Sequence, residues 1–443
     1  MLSMIDKKTA VIQKWTLLAV SVLVPIWLFF AHLDQGADTQ ATTAIYSIGL
    51  IIVFAILILS SGLEAVSTGM VIISGIFLAW LALGLFGNWP MARTEVQGLA
   101  AAGAVTGIGY IIGKHPNAFR TAWSSLNWSL LLFSLLALFV LLSDGNSITT
   151  SEADRFDGRL TAVFGSPNTA ATLFGLAVLL AASRILLRLS HSKMTRLSRR
   201  DRIYYFTQSE YASFGLLILA GICLLLTMSR AGIFISMTCL VGLVIVELTR
   251  LSRTGRFKFI RKRTFQIPFG LVLVLALVLA VTGEINPYDP EPLLENSSSR
   301  MIMYETYTSI WLERPFFGHG MGSFNALNDS HTTLNNAAHL VTAGAAHNVV
   351  LQWLIQQGIV GLTIMALVVG LIIYPIIQSL RQGSSVPRHF LRMALAATIL
   401  VFAHGMFDYA LEIPSVMWTY AFILGLASGF AASTLATKSQ SDE

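Results

Sequence analysis

The sequence predicts an all-α integral membrane protein with about twelve transmembrane helices and one large outer loop that contains short helices. Three observations lead there. Hydrophobic residues make up 55% of the 443 residues and charged residues only 12%, with a mean hydropathy of +0.69, whereas roughly 25% of a soluble domain is charged. The apolar residues come in runs of roughly 17 to 20, enough to cross a hydrocarbon core about 30 Å thick. The 29 Lys and Arg then divide unevenly. All but Arg93, Arg155, Arg159, Arg230, Arg300 and Arg314 gather in loops on one side, which the positive-inside bias makes the cytoplasmic side.

The spans fall near 16–33, 44–61, 69–87, 95–113, 126–143, 169–187, 211–228, 231–249, 267–285, 359–378, 390–407 and 413–432. An even number leaves both termini inside. Lys7, Lys8 and Lys14 precede a run too long for a signal-peptide core, and no small-residue cleavage site follows, so the first run is a span. The fourth, rich in Gly and Ala, suits a close-packed helix or a re-entrant segment. From Ala212 to Leu248 the chain is almost unbroken apolar sequence; a single helix there would be about 55 Å long. Two spans therefore meet near Met228-Ser229-Arg230-Ala231-Gly232. The organisation is nine spans over 1–285, a loop region over 286–358, and three spans with a tail over 359–443.

Cys223 and Cys239 both fall mid-span, which gives neither a disulfide framework nor a thiolate metal cluster. The net charge of +6 and pI near 9.4 match cytoplasmic loops meeting anionic lipid, so nucleic acid is not implied as a partner. No zinc signature such as H-E-x-x-H, no G-x-S-x-G and no Walker motif occurs, and neither metal nor cofactor is expected. One half of the chain does not visibly repeat the other, which counts against transporters built from inverted repeats.

On the outer face, Ser166 and Pro167 open the sixth span as N-cap and first helical residue, an arrangement that turns free N–H groups toward an anion. In the long loop, Ser297, Ser298 and Ser299 offer N-caps for a helix from about Arg300 to Leu312, and Gly318-His319-Gly320-Met321-Gly322 must be irregular. Apolar residues at 350, 351, 354 and 355 mark a helix lying at the outer surface, with His347 at its start and the tenth span continuing from it.

Arginine is the outer cation, and its guanidinium forks onto phosphate oxygens and keeps its charge. Arg230 sits at a tight turn between two spans, where it meets an anionic ligand or snorkels to lipid headgroups. Arg300 begins the expected loop helix, where a cation opposes the helix dipole unless something anionic is near; alternatively it pairs with Glu295 or Asp289. Arg159 reads equally as site or structure, and Arg314 before Pro315 reads first as structural. His347, beside Asn348 and after Ala343-Gly344-Ala345-Ala346, is a candidate for chemistry near neutral pH, or else a cap or core residue. His404 and Asp408 lie four apart on one face of the eleventh span, where they could orient each other or a hydroxyl group.

The ordered set Gly158-Arg159-Leu160-Thr161 and Phe164-Gly165-Ser166-Pro167-Asn168, Ser229-Arg230-Ala231-Gly232, Arg300 with Trp311, Pro315-Phe316-Phe317-Gly318-His319-Gly320-Met321-Gly322-Ser323-Phe324, and His347-Asn348-Val349-Val350-Leu351-Gln352 with Gly358-Ile359-Val360-Gly361-Leu362 resembles the O-antigen ligase and polymerase superfamily. The motifs share one side, and a twelve-span layout with a large, late periplasmic loop is similar to that family. The resemblance implies a metal-independent, inverting glycosyltransferase in the bacterial inner membrane. Its donor would be a glycan on undecaprenyl diphosphate at the periplasmic face, and its acceptor a hydroxyl of lipid A core or of another glycan. It implies Arg230 and Arg300 on the diphosphate, Arg159 on the donor and His347 on the acceptor. Asn168, Arg314, Asn348, His404 and Asp408 complete the expected substrate contacts, and the protein is expected to be a monomer. A lipid-linked oligosaccharide flippase is the rival class, but it needs charges along a path inside the spans, where almost none occur.

Overall fold

The computed structural model describes residues 2–62, 68–85, 92–143, 159–190, 199–253, 291–341, 343–382 and 388–442. The described chain is all helical: α1 (Leu2–Leu33), a 3-10 turn (Gln35–Ala37), α2 (Gln40–Ser61), α3 (Thr68–Leu85), α4 (Arg93–Gly113), α5 (Pro116–Leu142), α6 (Pro167–Leu189), α7 (Arg199–Leu226), α8 (Arg230–Arg253), α9 (Glu291–Glu313), α10 (Phe324–His331), α11 (Ala337–Leu340), α12 (Val349–Arg381), α13 (His389–Gly405) and α14 (Pro414–Asp442). Eight of these are long and apolar enough to cross a membrane, and Thr68–Ala82, Glu210–Leu226 and His389–Gly405 are shorter apolar helices. The chain is a multi-pass membrane protein. The expected span at 267–285, the loop opening at 286–290 and Arg155 lie outside the described residues.

The Gly- and Ala-rich fourth span is a continuous helix packed on α14. Gly109 and Gly113 on α4 meet Gly425 and Gly429 on α14. A Cβ on Gly113 would strike the Leu426 carbonyl, and one on Gly429 the Tyr110 carbonyl. Lipid offers no hydrophobic gain for bringing two helices together, so small residues that let backbones approach provide the packing.

Where α6, α7, α8 and α13 end away from the site, carboxylates hold them together. Glu210, where α7 departs from helical angles (φ −135°, ψ 26°), takes Arg184 at 2.7 Å and Arg188 at 2.6 Å. Glu247 of α8 joins Arg392 and His389 of α13. Each buried acid has its cations beside it, without which its desolvation would be prohibitive.

At the other end, the long loop docks onto a break in α12. Gly358 (φ 62°, ψ −168°) divides α12 into a short first part and the part that crosses the membrane. A broken helix leaves N–H and C=O groups without partners. Here the glycine-rich loop supplies them: Ile355 and Gln356 carbonyls accept from His319 (2.9 Å) and Gly320 (2.8 Å), and Ile359 and Val360 donate to Pro315 (2.9 Å) and Phe316 (3.1 Å). The expected helix from about Arg300 begins instead at Glu291. Glu291 and Pro292 suit a first turn better than the serines do, the acid by the helix dipole and the proline by its fixed φ. Arg300 is thus well inside α9, and the dipole argument for it fails.

Candidate functional site

The ends of α6, α8, α9, α12 and α13 meet on the side where the loop docks. Ser166 caps α6 with Pro167 at its start, as the sequence predicts, and the Ser166 hydroxyl accepts from the N–H groups of Asn168 (3.2 Å) and Thr169 (3.5 Å). Those two donors are therefore already engaged. The Asn168 amide oxygen accepts from Ser229 (2.7 Å), whose hydroxyl also caps α8 through Gly232 N–H (3.3 Å). The turn between α7 and α8 passes through Met228 at φ 49°, and its Thr227 carbonyl accepts from Arg159 Nε at 3.0 Å. Arg230 opens α8 with its side chain exposed at this turn.

His404 reaches into the same group. Its Nδ1 is 2.7 Å from the Thr172 hydroxyl, its Nε2 is buried with no hydrogen bond, and Gly232 packs against its ring. His404 and Asp408 do not share a helical face: α13 ends at Gly405, and Phe407 N–H turns back to the His404 carbonyl at 2.8 Å. Asp408 stands in the following turn, fully buried, beside Thr169 and the N–H groups of Tyr409 and Ala410. Burial pushes its carboxyl up to about 7 against the opposing pull of those groups and of Arg300.

His347 does not begin the surface helix; it precedes the cap. Asn348 is the N-cap, its side-chain oxygen accepting from Val350 (3.0 Å) and Leu351 (3.1 Å). His347 is held at φ 51°, a left-handed conformation that a non-glycine residue adopts at a cost and that clusters at functional sites. Three contacts impose it. Tyr409 meets the ring edge-on at 4.8 Å. The Tyr304 hydroxyl lies 3.3 Å from the His347 carbonyl and 3.2 Å from that of Met406. Gln352 accepts from Ala346 N–H at 2.8 Å.

The Arg300 charge acts on His347, His404, Asp408 and Tyr304 together. Burial first, and Arg300 second, lower His347 to about 4, so its ring is neutral at physiological pH and can take a proton. Arg300, His347, His404 and Asp408 thus form one group, which Asn168 and Ser229 join through Gly232 and its contact with His404, while Arg230 stands exposed two residues before Gly232. Arg314 is exposed in the turn after α9, its backbone bonded to Trp311 and Gly318, and no described charge interaction joins it to this group. His319 bonds the Ile310 carbonyl at 2.9 Å, and His331 pairs with Glu313. Among the described residues no three His, Cys, Asp or Glu converge as ligands for a metal.

Sequence reasoning missed Tyr304, Tyr409, Thr172 and Glu95. Tyr304 was within reach, since it lies one helical turn after Arg300 on the same face. Glu95, an acid at the mouth of a span, also carried a signal: it accepts from Gly322 N–H (2.9 Å) and Gln356 Nε2 (2.8 Å), tying α4 to the docked loop. Near it, burial first and then Glu95 and Asp38 push Glu412 up to about 8, while burial raises Asp38 to about 6. Tyr409 and Thr172 had no sequence signal, because only tertiary packing brings them to histidines.

Residues 215–366 match the family described as O-antigen ligase. That segment holds Arg230, Arg300, Arg314, His347 and Asn348, the docked loop and the break in α12. A comparison with curated proteins gives no match. Over this segment, about a third of the chain, the protein is similar to the O-antigen ligase family.

Proposed function

We propose that this protein is an inverting glycosyltransferase of the O-antigen ligase type. It moves a glycan from undecaprenyl diphosphate to a hydroxyl of lipid A core, at the periplasmic face of a bacterial inner membrane, with both termini cytoplasmic. The observation that carries this reading is the fixed charge of Arg300 beside the neutral ring of His347. The acceptor oxygen attacks the anomeric carbon as the bond to the diphosphate oxygen breaks. The electron pair leaves on the diphosphate, and the hydroxyl proton passes to His347. Arg230 and Arg300 stabilise the charge that develops on the leaving oxygens, an effect that is large in a site shielded from water. Arg159, tied to the α7–α8 turn, holds that turn toward the donor. Asn168 and Asn348 act through the helix starts they secure, and His404 and Asp408 contact substrate within reach of the Arg300 charge.

The same machinery with a lipid-linked repeat unit as acceptor is a polymerase. Deletion of the gene followed by gel analysis of surface glycans separates the two. Loss of the whole lipopolysaccharide ladder with accumulation of lipid-linked polymer indicates a ligase, and a single repeat left on the core a polymerase. The chemistry is tested on purified protein in detergent with a diphosphate-linked donor and no gradient. His347→Ala should lose about 10²- to 10⁴-fold in rate while still binding undecaprenyl diphosphate, the typical worth of general-base help. Arg300→Ala should bind it poorly. If His347→Ala transfers at the wild-type rate, or loses donor binding as fully as Arg300→Ala, the roles are wrong. No turnover by the wild type without a gradient would favour a flippase.

A further inference from the structure

We infer that Leu312, Phe316 and Phe317 form a foot by which the α9 loop enters the bilayer, in the leaflet on the side of the site. Phe316 is 66% exposed, Phe317 74% and Leu312 60%, so no described part of the protein covers them. Their height is fixed by the docking of the loop on α12. The carbonyls of Pro315 and Phe316 accept from Ile359 and Val360, the first turn of the part of α12 that crosses the membrane. From Ile359 to Arg381 that part is about 34 Å long, close to the roughly 30 Å of a hydrocarbon core. The first turn therefore lies at the lipid boundary, and both phenylalanines with it.

The surface they extend is already a lipid surface. Ile359 (48% exposed) and Leu367 (48%) face outward from α12 below them, so the foot continues an apolar stripe that must meet acyl chains. Aromatic side chains favour this interfacial level. The exposed Arg314 between Leu312 and Phe316 stands where a guanidinium can snorkel to headgroup phosphate. A partner protein would have to displace lipid from the same stripe, whereas the bilayer reaches it without any further component.

The test is the depth of a nitroxide label in protein reconstituted into phosphatidylcholine–phosphatidylglycerol vesicles. Cys223 and Cys239 are buried, so a label attaches at a new cysteine. Phe317→Cys is the first position and Phe316→Cys the second, should the first fail to fold. Leu367→Cys is the lipid control, and Leu334→Cys, fully exposed before α11, the water control. The label at 317 or 316 should be relaxed by oxygen more than by a water-soluble nickel chelate, as at 367 and opposite to 334. Relaxation by nickel as strong as at 334 overturns the proposal. So does shielding from both reagents with spin–spin broadening that disappears on dilution with unlabelled protein, which would mean that a second copy covers the foot.

Discussion

Gly318 and Gly358 pack reciprocally: the bare α-carbon of Gly318 rests on the Gln356–Gln357 peptide just before Gly358, and that of Gly358 rests on Phe316 and Phe317 just before Gly318. Both have left-handed backbones, φ 66° and 62°. An alanine at either place adds a methyl where there is backbone and takes a conformation that costs an L-residue on the order of 1–3 kcal/mol. Gly358→Ala should lower the melting temperature in detergent and reduce transfer, since the same docking holds the part of α12 that follows His347. An unchanged melting temperature would show that the loop is not held in this way.

Arg230 stands exposed at the head of α8 with no acid bonded to it among the described residues. If it forks onto two diphosphate oxygens, lysine keeps its charge but not its planar pair of donors. Arg230→Lys should therefore express and fold normally yet turn over at least about tenfold more slowly, at the lower end of what one charge-assisted hydrogen bond contributes. Wild-type turnover by the lysine variant would mean that only charge matters there.

The neutral ring of His347 implies a definite pH profile. Its value of about 4 lies below the ordinary 6.5, so the folded protein resists protonation, and stability, with turnover if His347 is the base, declines as pH falls toward 4. In kcat/KM the acid limb of the wild type should lie near 4. Arg300 is the second cause of the shift, so the residual turnover of Arg300→Gln should show that limb at higher pH, though still below 6.5 because burial remains. Coincident limbs in the two proteins would separate Arg300 from His347.

Asp408 behaves in the opposite sense. Its value of about 7 lies above the ordinary 3.8, so the stability of the protonated form is complete below about 4 and lost as pH rises through 7. Asp408→Asn holds the neutral form at every pH. Its melting temperature should fall less than that of the wild type between pH 5 and 8.5. Parallel curves would mean that Asp408 is ionised throughout.

The spans were legible in the sequence because an apolar run of fixed length has few alternatives in lipid, and eleven expected spans coincide with apolar helices. So was the Ser166–Pro167 start of α6, where cap and proline are adjacent residues with local rules. For the candidate site, the sequence offered residues on one side of the membrane but not their geometry. Arg300 was placed at a helix start because three serines look like caps, although helix continuity from Glu291 outweighs them. His404 and Asp408 were spaced for one face, but Gly405 ends the helix between them. Gly109, Gly113, Gly425 and Gly429 lie some three hundred residues apart in the chain, and their pairing exists only in the packed bundle.

Among the described residues the cations at the site end are Arg93, Arg159, Arg230, Arg300 and Arg314, with no lysine. A guanidinium does not titrate at any ordinary pH, so whatever attraction this end exerts on an anion has no setting that a proton can change. Acidity acts here through groups that do titrate, among them Asp38 near 6, Asp408 near 7, Glu412 near 8 and His347 near 4. If this end holds a diphosphate donor as proposed, grip and readiness for chemistry are in that sense separately wired, and a shift in pH would leave the first intact while it adjusts the second.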